Sequence, residues 1–167
     1  SAGAINAATL AVHADDFRRG VARLMRWWRH VQVRDVYRAD LATLSRHGMR
    51  WLADLLGGKP GPDAAAALLD NAPLDRLLRG AIDLARIDER LRDGSLSALA
   101  LNATSYSTGF AITFYSGRPG LEPWRRMRRE GRRTRLAHEH LLASTAIPFV
   151  LTAVRIDDDW YMDGSVR

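Results

Sequence analysis

The chain has 167 residues, with 25 Lys+Arg against 19 Asp+Glu for a formal net charge of +6, and no cysteine. That length suits one domain, the missing thiols exclude disulfides and thiolate metal sites, and no run approaches the about eighteen apolar residues of a membrane-spanning helix. Apolar residues make up 47% of the chain, enough for a packed core, and the positive charge is almost all arginine, since Lys59 is the only lysine.

Ser1 to about His13 reads as a helix that is small and apolar nearly all round, so it is expected to be buried. Asp15 and Asp16 sit at the next helix start, where carboxylates favour the positive end of the dipole. That helix runs to about His30 and carries Phe17, Val21, Leu24, Met25 and Trp28 at helical spacing. On this reading Trp28 fits the apolar stripe and Trp27 is the one of the two open to exposure; core packing is the expected role of the pair, with a lipid-facing lid as the sharper alternative. A third helix is expected over about 40–56, with Trp51 in its apolar face, followed by the breaker Gly57-Gly58-Lys59-Pro60-Gly61-Pro62. Asp63 is placed to cap a short helix over 64–69. Pro73 suits the first turn of a helix through about Arg79, and another is expected over about 81–92, closing at Asp93-Gly94.

The pattern then changes from helix to strand. Residues 97–104 and 110–115 read as strands joined by the turn Ser107-Thr108-Gly109. A basic loop follows, then a helix over 134–146 ended by Pro148, and a short strand over 149–154. Asp157-Asp158-Asp159 reads as a turn, and Trp160-Tyr161-Met162 as a strand entering Asp163-Gly164. Helices early and strands late give a layered α/β expectation.

The chemistry is expected at the two ends. Ser1-Ala2-Gly3-Ala4 opens an apolar helix with small residues, which is what a nucleophile elbow needs, because bulky neighbours would block the serine. Gly3 lets the helix pack close beneath the turn. A serine hydroxyl is unreactive until a base takes its proton, and Asp163, in the Asp163-Gly164 turn, is the candidate base.

With these pieces in order, the chain resembles the patatin-like phospholipases. Ser1-Ala2-Gly3 matches the second half of that family's Gly-x-Ser-x-Gly elbow, and Asp163-Gly164 matches its Asp-Gly-Gly or Asp-Gly-Ala motif. Ala143-Ser144-Thr145-Ala146-Ile147-Pro148 resembles the Ala-Ser-x-Ala-x-Pro segment that precedes the strands leading to the aspartate. Leu69-Asp70-Asn71-Ala72-Pro73-Leu74 resembles an Asp-x-x-Pro-Leu stretch, and Asn102-Ala103-Thr104 with Gly109 and Phe114 resembles the family's central hairpin. Ser105 stands where the family often has Asp, and Ser165 where it has Gly or Ala.

The resemblance implies a three-layer α/β/α core and a Ser–Asp dyad without histidine. It implies a serine acyl hydrolase of the phospholipase A or lipid acyl hydrolase type, acting on lipid acyl esters through an acyl-enzyme, with no cofactor. The Ala2 N–H is one expected oxyanion donor, supported by Gly3 and Gly164. The first elbow glycine, the strand that carries the serine and the family's glycine-rich oxyanion loop are expected upstream. Residues 1–167 are therefore read as a single partial catalytic domain with little activity alone.

Two competing readings belong to other classes. One is a catalytically silent fragment or pseudoenzyme that binds anionic lipid or a partner through its arginine-rich surface. The other is an N-terminal-nucleophile hydrolase, in which the Ser1 amine is its own base; that fold opens on a strand, whereas this chain opens on a helix. The densest charge run is Trp124-Arg125-Arg126-Met127-Arg128-Arg129, continuing to Arg135. It is expected to be a solvated loop, with contact to an anionic membrane surface as its functional reading and nucleic acid as the weaker one. His138-Glu139-His140 has the wrong spacing for a metal pair on one helix face, so no metal site is expected. A bacterial protein, cytoplasmic or peripheral to a membrane, is the expected setting, the arginine and alanine richness fitting a GC-rich genome.

Overall fold

A computed structural model of the chain describes residues 2–36, 71–148 and 150–165. The helix expected over 40–56, the glycine-proline breaker, the Asp63 cap, Trp51, Ser1 and the first two residues of the Asp-x-x-Pro-Leu stretch lie outside the described residues.

The helices are α1 (Ala2–Ala11), α2 (Phe17–His30), the single turn α3 (Val33–Val36), α4 (Ala72–Ala81), α5 (Arg86–Arg92) and α6 (His138–Thr145). The strands are β1 (Ala98–Ser105), β2 (Ala111–Gly117), β3 (Trp124–Arg126), β4 (Arg129–Arg133), β5 (Val154–Ile156) and β6 (Asp159–Asp163). They form one six-stranded mixed sheet in the order β3-β4-β2-β1-β6-β5. All pairs are antiparallel except β2 with β4. The α/β class is as expected.

Period-two burial sets the sheet's orientation. Leu99, Leu101 and Ala103 of β1 are buried, whereas Ala98, Ala100 and Asn102 between them are exposed. The buried face joins Ile112 and Phe114 of β2 and Tyr161 of β6 in one core with Ala4, Ile5 and Ala8 of α1, Leu74 and Leu78 of α4, and Leu141 and Leu142 of α6. Helix α6 lies against β1, β5 and β6, and α1 against α6 and β1. Alanines on α1 make this close approach cheap: Ala8 and the facing Ala143 of α6 are both fully buried.

Helix boundaries follow local chemistry. Asp16 caps α2, accepting the Arg19 N–H at 3.0 Å. Pro73 lies in the first turn of α4. Gly94, at φ +80°, takes the left-handed conformation just past α5.

Four expectations are corrected. Val21 and Leu24 of α2 lie inward as expected, whereas Phe17, Met25 and Trp28 are exposed, and the inward side is Gly20 with Val21, Leu24 and Trp27. Its origin is Gly20, which lets α2 approach so closely that an added Cβ would lie 3.1 Å from the His13 Cβ. Trp27 therefore packs on the core, while Trp28 is 42% exposed and donates its Nε1–H to Asn6 Oδ1 at 2.8 Å. Helix α5 starts at Arg86 rather than 81, because Ile82 caps α4 in extended backbone. Helix α6 starts at His138 rather than 134, because β4 runs to Arg133 and the Thr134 N–H bonds back to Tyr115 O. The strand expected over 149–154 is β5 at Val154–Ile156.

The basic loop is a β-hairpin. Trp124 pairs with Gly131 across β3 and β4, and its indole lies over that glycine, where any Cβ would collide with the ring. Gly131 is buried for this reason, and β4 continues the sheet from β2 despite its charged sequence.

Candidate active site

Asp163 is the last residue of β6 and is 3% exposed. Its backbone is held from two sides. It pairs with Ala103 of β1, and its N–H donates to Ala146 O at 2.8 Å, just past the end of α6. Its carbonyl accepts a longer bond from the Thr104 hydroxyl at 3.4 Å. The chain then turns, and the Ser165 N–H donates back to Asp163 Oδ1 at 2.8 Å.

Gly164 is required at this turn by close approach rather than by its torsion angles. A Cβ there would lie 2.5 Å from Asn102 O, 2.6 Å from Asn102 C and 2.8 Å from Asn102 Cβ. The Asp-Gly pair thus turns directly against the backbone of β1.

A cavity of about 340 Å³ opens beside this turn. One side is Gly3, Ala4 and Ala7 of α1; the other is Asp163, Gly164 and Ser165, with Ser144 of α6 and residues 100–102 of β1 completing it. Strand β6 pairs with β1 only from Ala103 onward. The cavity therefore lies along a stretch of β1 that β6 leaves uncovered. Small side chains on α1 keep the space open.

Burial pushes the Asp163 pKa up, while hydrogen bonds from Ser165, including that from its N–H, pull it down. A carboxylate buried at the wall of a cavity is placed to accept a proton from a group inside it.

The sequence-predicted site residues divide into three groups. Asp163, Gly3 and Gly164 share the cavity wall. Ala2 begins α1 one residue before that wall, and Ser1 lies outside the described residues. Trp124, Arg125, Arg126, Arg128 and Arg129 lie on the β3–β4 hairpin and do not line the cavity. Sequence reasoning missed the roles of Asn102, Ser144 and Ala146. Two of these fall in the Ala-Ser-x-Ala-x-Pro segment, whose last helical turn and following carbonyl brace the aspartate.

A second serine–aspartate contact is structural in character. Ser105 is 1% exposed; its Oγ–H donates to Asp159 Oδ2 at 2.6 Å and its Oγ accepts from the Thr108 N–H and hydroxyl. These bonds close the β1–β2 turn. The histidines are likewise engaged: His140 Nδ1 accepts the Ala137 N–H at 3.0 Å, and the His138 Nε2 lies 3.0 Å from Ile82 O.

The fold and this cavity define an α/β protein with a buried carboxylate at the end of a sheet strand. The sequence matches the patatin-like phospholipase family over residues 1–167, and the chain belongs to that family. No curated protein and no solved structure matches it. Among the described residues no helix is long and apolar enough to cross a membrane.

Proposed function

We propose that this chain is the catalytic domain of a serine hydrolase that cleaves lipid acyl esters through a Ser1–Asp163 dyad. The observation that supports it most is the shared cavity. The turn carrying Asp163 and the first turns of α1, which follow Ser1 directly in sequence, line the same space.

The reaction follows from one carboxylate acting twice. Asp163 accepts the Ser1 hydroxyl proton as Oγ attacks the ester carbonyl. The tetrahedral oxyanion takes a hydrogen bond from the Ala2 N–H, and further backbone donors complete its stabilisation. Collapse expels the alcohol, which takes the proton back from Asp163, and leaves the acyl group on Ser1. Water then attacks the acyl ester, giving its proton to Asp163, and the fatty acid leaves as Ser1 is restored. No metal or cofactor enters this scheme.

The test is pre-steady-state hydrolysis of a chromogenic acyl ester by the full chain carrying residues 1–167. An acyl-enzyme that breaks down more slowly than it forms gives a burst of alcohol release and a mass increment on Ser1. Asp163→Asn should lower the burst rate by about 10³-fold or more, in the range of lost general-base partners. Turnover of the Ser1→Ala protein at the wild-type rate would refute the dyad.

A further inference from the structure

We propose that the β3–β4 hairpin is an anchor for anionic phospholipid surfaces. In this arrangement Met127 enters the headgroup layer, and Arg125, Arg126, Arg128 and Arg129 contact lipid phosphates.

Residues 124–133 contain six arginines and one glutamate. Glu130 is already engaged by Arg132, whose Nε lies 2.6 Å from its carboxylate, and Arg132 also bonds the Tyr161 hydroxyl. Arg133 is tied to the carbonyls of Gly117 and Leu121. Among the described residues, the four arginines nearest the turn have no ion-pair partner within 4 Å; Arg125 lies over the Phe110 ring, 5.4 Å from its centroid.

The register makes this more pointed. Arg126 stands directly opposite Arg129 across the two strands. Like charges in that position destabilise a pair. An anion bridging the two guanidinium groups removes the repulsion, and a phosphate matches their planar donors.

The turn supplies the second half of the argument. Met127 is 96% exposed and sits at φ 47°, a left-handed conformation usually given to Gly or Asn in a two-residue hairpin turn. An unbranched apolar side chain is thus held outward at the very tip, at a steric cost. Charge on a short edge strand guards a sheet against pairing with another chain, which accounts for β3 but not for the turn. A nucleic acid would use the arginines and leave Met127 in water. A lipid surface uses both, with exposed Trp124 and Leu121 alongside.

The hairpin strands β4 and β3 are three and four strand spacings from β6, or about 14 and 19 Å, so the hairpin binds without occupying the Asp163 cavity. The proposal therefore stands apart from the dyad, and Ser1→Ala should leave it intact.

The experiment is flotation of the full chain with vesicles of phosphatidylcholine alone or with about 30% phosphatidylserine. Binding is expected only with phosphatidylserine and is expected to weaken steeply toward about 0.5 M salt. Arg128→Gln with Arg129→Gln should weaken partitioning about 25-fold, at roughly fivefold per arginine. Met127→Ser should weaken it several-fold while retaining the salt dependence. Unchanged thermal unfolding of these surface variants establishes that the fold is intact. Equal binding to neutral vesicles, undiminished binding of the arginine variant, or tighter binding to an oligonucleotide than to vesicles would each overturn the proposal.

Discussion

Gly164→Ala places one methyl group where β1 and the Asp163 turn nearly touch. The new Cβ would meet the Asn102 carbonyl oxygen at 2.5 Å and its carbonyl carbon at 2.6 Å, both backbone atoms of a paired strand. Neither is the loose end of a side chain, so relief requires the turn itself to move by several tenths of an ångström. Overpacking of this kind costs about 1–3 kcal/mol. For a chain of this size that lowers the unfolding midpoint by about 2–12 °C, at roughly 2–4 °C per kcal/mol. The same shift moves the Asp163 carboxylate, and a misplacement near 1 Å in a catalytic group costs about 10²-fold in rate. The assay pairs thermal unfolding with ester turnover. Gly80→Ala in α4 is the control: nothing lies within 4 Å of its added Cβ, so it should stabilise by about 0.5–1 kcal/mol. A Gly164→Ala protein as stable and as active as wild type would refute the close-approach reasoning.

Other perturbations follow from buried contacts. Leu78 is 0% exposed on α4, and Leu78→Ala should cost about 2–5 kcal/mol in urea unfolding. Ser105→Ala strips a buried hydroxyl from Asp159 and from Thr108, and should cost about 1–3 kcal/mol by the same measurement. His13 and His140 both titrate below the ordinary 6.5, chiefly because burial disfavours the charged ring. The unfolded chain therefore binds more protons just below pH 6.5, and stability should fall as pH drops through and below that value. Protonating His140 Nδ1 also breaks its bond from the Ala137 N–H, so His140→Gln should flatten the pH dependence of the urea midpoint.

Elements with a strong local signal were legible in the sequence. The Asp16 cap and Pro73 fixed two helix starts, and the Ser107-Thr108-Gly109 turn fixed the register of β1 with β2, with Gly109 at φ +66°. The face of α2 was read only in part because its key residue is Gly20, which carries no hydrophobic signal and acts through proximity alone. The β3–β4 hairpin was hidden by its arginines: charge reads as solvated loop, whereas this segment is a strand because β2 offers it an edge and Trp124 covers Gly131. At the site, Asp163 and Gly164 were visible as a motif, but the contact of Gly164 with Asn102 and the bond of Asp163 to Ala146 join positions 62 and 17 apart in the chain, respectively. No local pattern encodes such pairings.

The most direct test of the central claim is fluorophosphonate labelling of the full chain carrying residues 1–167, with the labelled residue mapped by mass spectrometry. The account predicts a single adduct on Ser1, lost in Ser1→Ala and strongly slowed in Asp163→Asn. An adduct on another serine, or undiminished labelling of the Asp163→Asn protein, would contradict it.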